Sequence, residues 1–107
     1  MKLRNVYDYI EEMRTKPGMY SPDLSLAPLE KLLWGYCACL NSHKIIETYE
    51  GRKFDPTEFS AWLYDEKGWS ASLGFSKAIE EHFSDADAAF NKFFKLVQDY
   101  RFGTVPD

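Results

Sequence analysis

The sequence predicts an all-α fold, a compact bundle of four to five helices forming one domain over residues 1–107. Three observations predict it. Apolar residues recur at i, i+3, i+4 and i+7 in four separate stretches. Four stretches open on residue types that cap helices. No Asn-Gly or Asp-Gly dipeptide marks a β-hairpin anywhere. With 45% hydrophobic and 17% aromatic residues, the chain has ample material for one core and does not have the composition of a disordered segment. A domain of this length can bury about two thirds of its unfolded surface.

Each element has its own signal. Asn5 is the expected cap of the first helix, with Asp8 in its first turn and Val6, Tyr9, Ile10 and Met13 on one face. That helix is expected to stop before Lys16-Pro17-Gly18-Met19-Tyr20, because the residue before a proline is pushed out of helical conformation, and a loop follows to about Leu24. Ser25 is the expected cap of the second helix, and Pro28 falls in its first turn, where an absent N–H loses no helical bond. Leu26, Leu29, Leu32, Leu33, Tyr36, Cys37 and Leu40 form a continuous stripe, which places this helix at the centre of the core, and Ile45, Ile46 and Tyr49 prolong the apolar character.

Asp55-Pro56-Thr57-Glu58 is the clearest start in the chain: a capping Asp, a proline at the first helical position and a Glu three residues after the cap. Phe59, Trp62 and Leu63 form its buried face, Tyr64 falls off that face, and Gly68 closes it. Trp69, Leu73, Phe75, Ile79 and Phe83 are compatible with a further helix, whose start Gly74 and three serines leave open. The last helix opens at Ser84-Asp85-Ala86-Asp87 with a hydroxyl cap and acids in its first turn. Ala86, Phe90, Phe93, Phe94, Val97 and Tyr100 line it, and Gly103 and Pro106 end it.

Cys37 and Cys39 stand two apart in a helix, so they point to opposite sides and cannot pair; the simplest role for both is as small core residues. No secretory signal is expected in the charged start Met1-Lys2-Leu3-Arg4, and no apolar run approaches the roughly 20 residues of a membrane span. A cytoplasmic protein without a membrane partner is the expectation. The charge is unevenly placed: residues 1–53 hold eight Lys/Arg and seven Asp/Glu, whereas residues 54–107 hold five and ten. Such a field repels phosphate backbones, so direct nucleic-acid binding is disfavoured, and it attracts cationic partners.

No catalytic residue is expected. The two histidines, His43 and His82, each stand near the end of a helical stretch, where a cationic or dipolar side chain is at home, and neither accompanies a nucleophile in a known signature. Zinc spacing, a Walker loop and a Gly-rich dinucleotide loop are absent, so no metal and no cofactor is expected. The notable feature is Asp55, Glu58, Asp65, Glu66, Glu80, Glu81, Asp85 and Asp87 within 33 residues, offset only by Lys67 and Lys77 and interleaved with Trp62, Tyr64 and Trp69. Those acids, with Tyr64 and Trp69, are the candidate partner-binding residues; Trp62 matches the spacing of Phe59 and Leu63 and belongs to the core. Solvated helix faces are the plainer reading of any single acidic pair.

Two resemblances bear on function. Arg14-Thr15-Lys16-Pro17-Gly18-Met19-Tyr20 resembles the RPGMY turn near the start of type II topoisomerase ATPase subunits, but the chain lacks their Gly-rich lid, so the likeness is that of a shared helix-terminating turn. More broadly, Lys16 to Tyr20, the Leu-rich stretch Leu26 to Leu40 with Gly35-Tyr36, and Ala88-Ala89-Phe90-Asn91-Lys92-Phe93-Phe94 are similar to small helical bacterial immunity proteins of the contact-dependent growth inhibition type. That resemblance implies a cognate toxin as partner, with a basic, nuclease-like domain whose active site is covered. A small regulatory or adaptor domain that binds another protein or a small molecule is the alternative.

Overall fold

A computed structural model of the protein describes residues 3–103; more than half of these are helical, and none is in a strand. Six helices follow one another: α1 (Val6–Thr15), α2 (Pro17–Tyr20), α3 (Ala27–Ser42), α4 (Pro56–Lys67), α5 (Phe75–Glu80) and α6 (Ala86–Phe102). The expected all-α bundle has one helix more than anticipated, because Pro17–Tyr20 winds into a single turn with proline at its first position. Met1, Lys2 and Pro106 lie outside the described residues.

Two starts follow from local chemistry alone. Asn5 caps α1 by accepting from the Asp8 amide at 3.0 Å. Asp55 caps α4 by accepting from the Thr57 and Glu58 amides at 2.9 and 3.2 Å, and Gly68 ends that helix with φ 72°. The connection after α3 also serves α1: Glu47 accepts from the Val6 amide at 2.9 Å, and the Asn5 side-chain amide donates to the Thr48 carbonyl at 3.1 Å.

Other starts depend on distant residues. Ser25 does not cap α3; the Leu26 amide donates instead to Glu80 Oε2 at 3.1 Å, across 54 positions of sequence. The favour is returned by Glu30 in the first turn of α3, whose Oε1 accepts from the Ser76 amide at 3.0 Å at the start of α5. Gly74, with φ 101°, makes that approach possible, since a Cβ there would stand 2.5 Å from Glu30 Oε2. It also sets the start of α5 at Phe75, and the helix, ending at Glu80, is well short of the stretch from Trp69 to Phe83. In α6 the cap is Asp85, which accepts from the Ala88 amide at 2.7 Å, so Ser84 lies one residue outside it.

The centre of the core is aromatic. Phe59 of α4 is fully buried, with the rings of Phe54, Trp62, Phe75, Phe93 and Tyr100 centred 5.3 to 6.1 Å away. Edge-to-face pairs dominate, the arrangement favoured by ring quadrupoles. Against this cluster α3 contributes a narrower stripe than expected. Leu26, Leu29, Leu33 and Cys37 are buried, but Leu32 is 40% exposed and Leu40 only half-buried. Leu32 stands about 100° from Leu33 around the helix, on the side away from Cys37, which takes it off the buried line of Leu29, Leu33 and Cys37. Ile45 and Ile46 are exposed and nonhelical, and on α6 it is Ala89 rather than Ala86 that is buried.

Candidate partner-binding surface

The ten residues expected at a partner surface separate by what their side chains already do. Asp55 and Asp85 are helix caps, and Glu80 holds the Leu26 amide; these three carboxylates are committed to the fold. Glu58, Asp65, Glu66, Glu81 and Asp87 are exposed, and their carboxylates form no hydrogen bond or ion pair with a described residue. Both ion pairs found among the described residues, Arg14 with Glu11 and Lys16 with Glu12, lie at α1. No ion pair among the described residues neutralises these five carboxylates.

One contact ties together the loops that follow α4 and α5. Trp69, just past the end of α4, stacks on His82, just past the end of α5, with centroids 4.3 Å apart and planes at 16°. His82 is in turn fixed through Nδ1, 2.8 Å from the Ala78 carbonyl, and Phe83 meets Trp69 edge-on. The stack holds the loop three residues past Glu66 against the loop one residue past Glu81. Glu58 is two helical turns before Asp65 on the same face of α4, about 10 Å away. Tyr64 is 61% exposed, as expected of an anchor off the buried face; Trp69 is half-buried under His82. Trp62 stacks on Phe59 and belongs to the core.

The cysteines divide. Cys37 is buried, which pushes its thiol up to about 11, whereas Cys39 is exposed and is not the core residue it was expected to be. His43 sits at the C-terminal end of α3 as expected. No cluster of His, Cys, Asp or Glu among the described residues could hold a metal ion, and no helix there is long and apolar enough to cross a membrane.

One concavity was not legible in the sequence. A cleft of about 620 Å³ lies between α1 and α6, floored by Tyr7, Ile10, Phe94 and Val97 and walled by polar side chains that include Asp8, Glu11, Lys95 and Arg101. Arg101 is fixed there: its Nε donates to the Glu50 carbonyl at 2.8 Å and its guanidinium lies 4.2 Å from the Tyr7 ring centre. Burial raises the Tyr7 phenol above its ordinary range, and its hydroxyl donates to the Arg52 carbonyl. The walls come from opposite ends of the chain, so no local pattern announces them. Compared with protein-family models, with characterised proteins and with solved structures, the chain finds no match.

Proposed function

We propose that this chain is an immunity protein: it binds a cognate bacterial toxin domain with a basic, nuclease-like cleft and neutralises it by covering the active site. The observation that carries this reading is the set of five exposed, uncommitted carboxylates, Glu58, Asp65, Glu66, Glu81 and Asp87, beside the exposed ring of Tyr64. A toxin that cleaves nucleic acid must present a positive cleft, and an acidic surface reaches such a cleft by electrostatically steered association. The likeness of the PGMY turn, the Leu-rich helix and the Phe-rich helix to immunity proteins agrees with it. The α1–α6 cleft supports a second reading, a regulatory or adaptor domain that takes a small molecule or a peptide between those helices.

The test is association with the product of the adjacent reading frame, measured at low and high salt. Asp65→Lys, Glu66→Lys and Glu81→Lys are the variants of choice, because their carboxylates support nothing within the fold. Each is expected to slow association, and the wild-type rate is expected to fall as salt screens exposed charges beyond about 8 Å. Rates indifferent to both salt and charge reversal would remove the physical basis of the immunity reading and favour the cleft.

A further inference from the structure

We propose that the segment after α3, from Ile45 to Tyr49, is an unpaired strand edge that takes an extended segment of a partner protein by β-addition, with one branched aliphatic side chain of that partner seated in a socket beside it. Over these residues the chain is neither helix, turn nor bend. It is pinned from several sides. Glu47 accepts from the Val6 amide at 2.9 Å and from the Tyr36 hydroxyl, and the Tyr49 ring meets Tyr7 edge-on with centroids 5.2 Å apart. The Thr48 carbonyl accepts from the Asn5 side chain at 3.1 Å, and the Glu50 carbonyl accepts from Arg101 Nε at 2.8 Å. Glu47 and Tyr49 are half-buried while Ile46, Thr48 and Glu50 are exposed, which is the alternation of a strand.

In an extended segment the N–H and C=O of one residue leave by the same edge, and those of the next residue leave by the other. The edge of Thr48 and Glu50 is engaged by Asn5 and Arg101. On the opposite edge the N–H and C=O groups of Glu47 and Tyr49 bond to no described residue. They offer donors and acceptors at i and i+2, the pattern that another extended backbone complements. Because the segment is already held straight, pairing requires no further ordering of this chain. The socket is lined by Val6, Leu40, Ile45 and Phe54 and has a volume of about 90 Å³. An apolar cavity of roughly 150 Å³ holds benzene, so this one suits a side chain of valine or leucine size. Ile46, which also lines it, is 94% exposed and extends the apolar surface outward. A second copy presenting the same edge fits poorly. Antiparallel pairing of two such edges would set both molecules on one face of a ribbon whose strands lie about 4.8 Å apart, whereas the narrowest extent of one molecule is 27 Å. A single extended segment brings no such bulk.

Amide-resolved NMR of the full chain, titrated to about 1 mM with a capped peptide in which valine alternates with threonine and lysine, reads this residue by residue. The expected result is saturable binding in which amide exchange slows about tenfold or more at Glu47 and Tyr49 and is unchanged at Thr48. The same peptide with alanine in place of valine should bind about tenfold more weakly. Ile46→Lys should weaken binding about threefold, and at so exposed a position it should leave the helical circular dichroism spectrum as it is. The proposal is overturned by the absence of saturable change over that range, by binding that leaves the Glu47 and Tyr49 amides exchanging as before, or by equal binding of the alanine peptide. Protection of those two amides that grows with protein concentration in the peptide-free chain would also overturn it, since the occupant would then be a second copy.

Discussion

The two ends of α4 carry similar acids put to opposite uses. At the N-terminal end the Asp55 carboxylate is turned inward onto two backbone amides. At the C-terminal end Asp65 and Glu66 hold nothing and face solvent. The difference teaches that charge counted along a chain is not charge available to a partner. Of the eight acids between Asp55 and Asp87, three are occupied in holding helix starts, and composition alone separates none of the three from the other five.

The comparison can be sharpened by substitution, beginning beneath α4. Phe59→Ala removes the ring around which the aromatic core is arranged and is expected to cost about 3–5 kcal/mol in denaturant melts. Leu33→Ala, on the buried stripe of α3, follows at about 2–5 kcal/mol, with the difference between them reporting how much of the core is centred on α4. Asp55→Ala should cost about 1 kcal/mol as a lost cap, whereas Asp65→Ala should stay within about 0.5 kcal/mol. Equal effects at these two positions would erase the distinction between the ends of the helix.

A smaller effect is expected at alkaline pH. Burial pushes the Tyr100 phenol up from 10.0 to about 12, and its hydroxyl donates to the Lys53 carbonyl at 2.8 Å. The folded state thus keeps a proton that the unfolded state gives up, so the stability this group contributes is whole below pH 10 and is lost as pH rises through about 12. Melting temperatures recorded from pH 9 upward should fall across that window, and Tyr100→Phe should fall less steeply. An identical slope in the variant would assign the alkaline loss to other groups.

What could be read from the sequence is what is decided within a few residues. Asn5, Asp55 and Gly68 act on amides and carbonyls next to them, and the sequence places them correctly. Pro28 does fall in the first turn of α3, but the cap of that helix could not be read, because the Leu26 amide is held by Glu80 and no rule of spacing links positions 26 and 80. The same bond commits a Glu80 oxygen to the fold, a role that its place in the acidic run does not announce. The start of α5 has a cause of the same kind: Gly74 is needed where the Glu30 carboxylate comes close, a constraint visible only once α3 is beside it. The Trp69–His82 stack is a contact between two loops that periodicity does not address.

The exchange of carboxylates between α3 and α5, Glu80 to Leu26 and Glu30 to Ser76, has a consequence for how the molecule opens. Neither helix start is satisfied until the other helix is in place, so the two beginnings are formed or lost together. The first turn of α3 and the whole of α5 then make one cooperative opening unit, although 46 residues separate Glu30 from Ser76. Amide hydrogen exchange would see them as a single clock, and Glu30→Gln or Glu80→Gln would quicken exchange at both ends of the latch, including the end it does not touch.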